Sequence, residues 1–229
     1  MNIRLLILET TRLEELKDFY SRVLNWPPAD ETDTSFTLEL QNTEIEFRQH
    51  TGHLKPFYHF AINIPANKIE ETRAWLKPRV KLLWLDDYKS DIAEFTNWHA
   101  RSVYFLDPAG NIVELIARFD LHNESSEPFS PRQFISVSEI GLVVPPAELQ
   151  AKSNEVLRDF NLSWFSKQPP MDNFKAIGND EGLFIMVPEQ RSWYPLNDRP
   201  AILAPLKIYF SVGVRHHLLE FHNEWQTLF

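Results

Sequence analysis

Apolar and polar positions along the chain switch between two periods, and the switches mark out a repeated unit. Residues 3–8 form a short, nearly continuous apolar run, the pattern of a buried strand. Leu13, Leu16, Phe19, Tyr20, Val23 and Leu24 follow at helical spacing. Thr11-Arg-Leu-Glu14 is placed as a capping box ahead of that helix, and Trp26-Pro-Pro28 is placed to stop it. Two strands are predicted next, at residues 35–40 and 43–49, joined at Gln41-Asn42. The order is β, α, β, β.

A second copy begins at Phe57. It has a strand at residues 58–64 and a helix capped by Asn67-Lys-Ile-Glu70 that ends near Pro78. Trp84 and Leu85 suggest a strand, residues 101–106 another, and residues 111–118 the last, after the turn Asp107-Pro-Ala-Gly110. Residues 121–131 are polar and rich in Asn, Glu, Ser and Pro, and read as a linker. A third copy has a strand at 138–144 and a helix opening at Pro145 and reaching about Asn161. Its hairpin spans 174–177 and 183–187 across Gly178-Asn-Asp-Glu-Gly182. A fourth copy offers a strand at 206–212 and a short helix at 216–225, three strands short of a full unit.

Three segments carry a family resemblance: Leu16-Lys-Asp-Phe-Tyr20 with Val23-Leu-Asn25, Tyr58-His-Phe-Ala-Ile-Asn-Ile64, and Val103-Tyr-Phe-Leu-Asp-Pro-Ala-Gly-Asn-Ile-Val-Glu-Leu115. Together they resemble the glyoxalase / bleomycin-resistance / extradiol-dioxygenase superfamily, also called the vicinal oxygen chelate (VOC) superfamily. The likeness covers the first 120 residues well and residues 134–229 more weakly, through Glu139-Ile-Gly-Leu-Val-Val144 and the hairpin. It implies an α+β fold of paired βαβββ modules that curl a sheet around a cavity. The expected organisation is a two-module domain at 1–120, a linker at 121–133, and a partial second unit at 134–229.

The resemblance also implies four ligand positions, on the first and last strands of two paired modules. In copies one and two these fall at Leu5 (or Arg4 after a register slip), Glu46, His59 and Glu114. Glu46, His59 and Glu114 are ligand-type residues that suit Mn, Fe, Ni or Zn with open positions for water or substrate. Leu5 is not such a residue. Its presence argues against ring cleavage by two His and one carboxylate, and against a four-ligand site. The alternative is a metal-free cavity in which His59 bonds Glu114 and Glu46 pairs with Arg48. Glu139 occupies the first-strand position of the third copy and is expected to cap or to meet a basic group. Ile185 is the counterpart of Glu46 there, so no second metal site is expected.

Strand alternation puts His59, Ala61 and Asn63 on one face and Ile112, Glu114 and Ile116 on another. His59 and Glu114 are the expected catalytic pair, with Asn63, Trp98, Tyr104 and Arg48 as substrate contacts. Trp84 is a further stacking candidate. His99 and Arg101 are expected in a loop near the cavity mouth. His216, His217 and His222 lack i, i+4 spacing and are expected as solvated helix residues.

Composition narrows the classes. The chain has 229 residues, 23 Lys+Arg against 32 Asp+Glu, a net charge of −9 and no Cys. The acidic balance argues against nucleic acid and anionic membranes, and the lack of Cys excludes thiolate metal sites and a cysteine nucleophile. The six Gly form no phosphate loop. No signal peptide or membrane span is evident, so a cytoplasmic protein is expected. The expected function is an enzyme of lyase, isomerase or oxygenase type acting on a small oxygenated molecule in the first-domain cavity, with or without a divalent metal. The alternative is a metal-free sequestering protein of the bleomycin-resistance type. A homodimer is the expected partner state, if any.

Overall fold

The computed structural model describes residues 1–221 and 225–228. Strands and helices run in the order β1 (Asn2–Thr10), α1 (Leu13–Asp18), β2 (Asp30–Glu31), β3 (Ser35–Glu39), β4 (Glu44–Gln49), β5 (His59–Ile64), α2 (Ile69–Leu76), β6 (Ala93–Phe95), β7 (Ala100–Leu106), β8 (Ile112–Arg118), β9 (Ser136–Val144), α3 (Leu149–Asp159), β10 (Lys175–Asn179), β11 (Gly182–Pro188), β12 (Leu206–Val212), β13 (Arg215–Phe221) and β14 (Trp225–Leu228). The fold is α+β, with two curled sheets and few helices.

Local chemistry explains the main departures from the expected elements. The capping box does not form: α1 starts without a side-chain cap, and the Thr10 hydroxyl accepts from the Arg12 N–H instead. Past Asp18 the helix widens into a π-turn over Phe19–Val23. Asn67 does not cap α2 either, because its amide exchanges two hydrogen bonds with the Ser125 backbone. Leu82 and Leu85 make only isolated bridges, and the strand before β7 is Ala93–Phe95. The expected helix at 216–225 is a strand over its described part. Gly213, at φ +59°, makes the tight turn that pairs Val212 with Arg215. His217, Leu219 and Phe221 then alternate inward, and His217 packs against Phe160 and Phe210 while His216 stays exposed. His222 lies outside the described residues.

Sheet topology decides where a site can form. One sheet has the order β14-β13-β12-β1-β4-β3-β2 and the other β10-β11-β9-β5-β8-β7-β6. Copy one therefore pairs with copy four, through antiparallel β1 and β12, and copy two pairs with copy three, through antiparallel β5 and β9. The sheets do not divide at the linker: residues 134–229 complete both of them rather than standing as a unit beside residues 1–120. The main apolar core lies between the inner faces, where Leu6, Leu8, Ile45 and Phe47 of the first sheet join Phe60, Ile62, Val113 and Leu115 of the second. A smaller cluster, including Tyr104, Ile112, Ile185 and Trp193, covers the opposite face of the second sheet. That opposite face holds the candidate site.

Candidate functional site

Three neighbouring strands present polar side chains to the covered face of the second sheet. In register, Ala61 of β5 stands beside Glu114 of β8 on one side and Glu139 of β9 on the other. Ala61 carries only a methyl group, so both carboxylates can lean over the same strand. His59, two residues before Ala61, shares its face, and its Nε2 lies 3.1 Å from Glu114 Oε2. Tyr104 of β7 is directly opposite Glu114 in register and lines the same cavity. Burial first, then Glu114 and Glu139, raise the Tyr104 pKa well above its ordinary value, so the phenol keeps its proton.

Glu139 has a different partner. Arg118, four residues after Glu114 and on the same strand face, donates Nη2 to Glu139, Nε to Ser138 Oγ at 2.9 Å and Nη1 to Asp180 at 3.3 Å. Arg118 is completely buried. The ion pairs continue outward: Lys167 lies 2.8 Å from Asp180 and 2.7 Å from Asp120, and Asp120 lies 2.6 Å from the exposed His99. Burial and then the neighbouring Glu114 push the Glu139 carboxyl upward from its ordinary value, against the pull of Arg118.

Residues between β11 and β12 fold back over this face. The Trp193 N–H donates to Arg199 O and the Ala201 N–H to Arg191 O. Trp193 is set against the His59 ring, with centroids 5.2 Å apart. Gly141 of β9 makes room for it, since a Cβ there would stand 2.5 Å from the Trp193 ring. The result is a cavity of about 280 Å³. Its floor is His59, Glu114, Tyr104 and Glu139, and its walls include Phe95, Trp98, Phe174, Trp193 and Tyr194.

No family model and no curated protein matches the chain. Solved structures do. One is a candidate dioxygenase from Bacillus subtilis subsp. subtilis str. 168, with TM-score 0.56, 16% identity, and coverage of 82% of this chain and 63% of the other. The chain thus spans under two thirds of that protein's length. A glyoxalase / bleomycin resistance protein / dioxygenase from Nocardioides matches at TM-score 0.42 and 18% identity, over 56% of this chain and 89% of its own. A lactoylglutathione lyase from Agrobacterium tumefaciens matches at 0.41 and 16%, over 52% and 94%. The chain shares its fold with the Bacillus subtilis protein.

The cavity brings together four strand positions, His59, Glu114, Glu139 and Ile185. The side chains do not fit a metal. His59 Nε2 and Glu114 face each other, the Glu139 carboxylate is held by Arg118, and the fourth position is apolar. Among the described residues no group of three or more His, Asp or Glu is placed to hold an ion.

The structure brings together His59, Glu114, Tyr104 and Trp98 of the expected site residues. It separates the others. Glu46 and Arg48 lie on β4 in the first sheet, where Arg48 Nε donates to Glu46 Oε1 at 2.6 Å, so the expected Glu46–His59–Glu114 trio does not converge. Asn63 shares the His59 face but is turned to Ser136 and to Asp180 O, away from the cavity. Trp84 is 61% exposed. His99 sits in a turn at φ +50°, and Arg101 pairs with Glu70; neither lines the cavity. Glu139 meets the basic group expected of it, but in a site built from copies two and three. Arg118 was legible as a charge at i+4 from Glu114 on a buried strand. Trp193 and Tyr194 come from a loop, where periodicity carries no signal.

Proposed function

We propose that this protein is an acid–base enzyme acting on a small oxygenated molecule in the cavity between β5, β8 and β9. The observation that carries this is the buried His59–Glu114 pair at 3.1 Å on the floor of an aromatic-walled cavity. Among the described residues His59 Nδ1 is buried and has no partner, so the ring nitrogen taken to exchange a proton is Nε2, beside Glu114 on the cavity floor. Glu114 fixes the ring and stabilises the imidazolium when His59 takes a proton. The aromatic walls exclude water and hold a planar substrate. Isomerisation completes when the imidazolium returns the proton to a second atom of the substrate, and a lyase step when it gives the proton to the leaving group as that bond breaks. The cavity is complete within one chain, so this reading needs no second subunit.

A second reading is a binding protein without turnover, which the aromatic walls favour. One experiment separates the two. Candidate carbonyl and phenol ligands are incubated with the protein in D₂O, and carbon-bound proton exchange is followed by NMR. Enzyme chemistry predicts exchange that falls about 10²–10⁴-fold in His59→Gln while the ligand still binds. Binding without exchange in the unaltered protein supports sequestration. Protein purified without chelator is expected to hold well under one metal per chain. A near-stoichiometric transition metal that disappears in Glu114→Ala overturns the metal-free form.

A further inference from the structure

The cavity contains a cation that its own acids do not neutralise. His59 closes on Glu114, and Arg118 is engaged by Glu139 and Asp180. Arg191 also lines the cavity, from the loop after β11, yet no Asp or Glu among the described residues pairs with it. Among the described residues its side chain donates only to the adjacent Ser192 carbonyl, at 3.1 Å, and its guanidinium lies 5.3 Å from the centre of the Phe174 ring. Arg199, like Arg191, is half-buried without an acid among the described residues, but it donates to Gly110 O and does not line the cavity, so Arg191 is the cavity's own unpaired cation. Burial lowers its pKa, as expected for a cation without a counter-charge.

The remaining free capacity points the same way. The Tyr194 hydroxyl, also at the cavity, is buried and has no partner. The carboxylates on the floor already have donors. A ligand that satisfies Arg191 and Tyr194 must bring acceptors, and one that offsets Arg191 must bring negative charge. A planar fork of N–H donors stacked on an aromatic ring suits a carboxylate. The volume is near the lower end of ligand cavities, roughly 300–1,000 Å³. We infer that the substrate or ligand is a small aromatic carboxylate whose carboxylate is held by Arg191. This rests on the cavity's being the functional site and names the class of molecule it takes.

The test compares benzoate and ring-hydroxylated benzoates with their amides by calorimetry. The unaltered protein is expected to prefer the acids by about tenfold or more, the size of a charge-assisted hydrogen bond. Arg191→Gln should abolish that preference, and Arg191→Lys should retain part of it. Matching thermal melts show that the variants fold. Equal affinity for acid and amide, a preference that survives Arg191→Gln, or no binding of either ligand overturns the inference. Proton exchange decides the enzymatic reading separately: a carboxylate preference without exchange leaves anion recognition standing in a binding protein, whereas exchange with no preference for acid over amide removes anion recognition alone.

Discussion

At the scale of single residues, the cavity floor is a balance between burying charge and pairing it. Arg118 has no exposed surface, so its charge is tolerable only because Glu139, Asp180 and Ser138 surround it. Glu139 pays attention to both signs: Arg118 draws it toward ionisation, while burial and Glu114 oppose it. The groups facing it are His59 on β5, Glu114 and Arg118 on β8, Tyr104 on β7 and Asp180 in the β10–β11 turn. Its folded pKa, about 7, is raised above the ordinary 4.5. A carboxyl raised in this way contributes stability that is present below pH 4.5 and lost as pH climbs through about 7. Urea unfolding of Glu139→Gln between pH 5 and 8 should therefore show a flatter fall in stability than the unaltered protein, by about 1–3 kcal/mol. Only the slope matters, because any constant loss from the Arg118 contact cancels across the series. Identical slopes would mean that Glu139 ionises normally.

At the scale of elements, strands were legible where both faces of a sheet are covered. The runs at 58–64, 111–118 and 138–144 appear as β5, β8 and β9 within a residue or two. Helix starts were less legible: the distant Ser125 backbone takes the Asn67 amide, and ahead of α1 it is the Thr10 hydroxyl, not that of Thr11, that accepts from the Arg12 N–H. The 216–225 segment failed because a short amphipathic stretch fits periods of 2 and 3.6 alike, and Gly213 settles it by forming a turn. His59 and Glu114 were found because each breaks an apolar strand. Glu46 breaks one equally, and only the pairing of strands places it in the other sheet. Gly141 shows how one element positions another. With Ala there, the Cβ would crowd the Trp193 ring at 2.5 Å and push the loop off His59. Gly141→Ala should cost about 1–3 kcal/mol in urea unfolding and weaken ligand binding at the cavity. Unaltered affinity would mean that the Trp193 wall does not contribute to the site.

At the scale of the whole molecule, the order of copies along the chain is not their order in space. Copies one and four enclose copies two and three in sequence, yet each pair forms its own sheet. The centre of the first sheet is β1 against β12, with Leu6 opposite Ile208, and the centre of the second is β5 against β9, with Phe60 opposite Ile140. A chain cut at residue 120 would lose the partner of the middle strand in both sheets at once. It would expose unpaired N–H and C=O groups along β1 and β5, strands that belong to sheet centres, have no proline, and carry only Arg4 and Glu9 as charges, both on β1. It would also remove Ile185 and Trp193, which help to cover His59 and Glu114. Fragment 1–120 is therefore expected to aggregate or remain unfolded, although the repeat makes it look self-sufficient. Supplying residues 121–229 as a second polypeptide should restore dispersed amide signals in an NMR spectrum of the mixture. A soluble, cooperatively folded 1–120 fragment would show instead that its modules can pair with each other, and the site would then have to be sought between copies one and two.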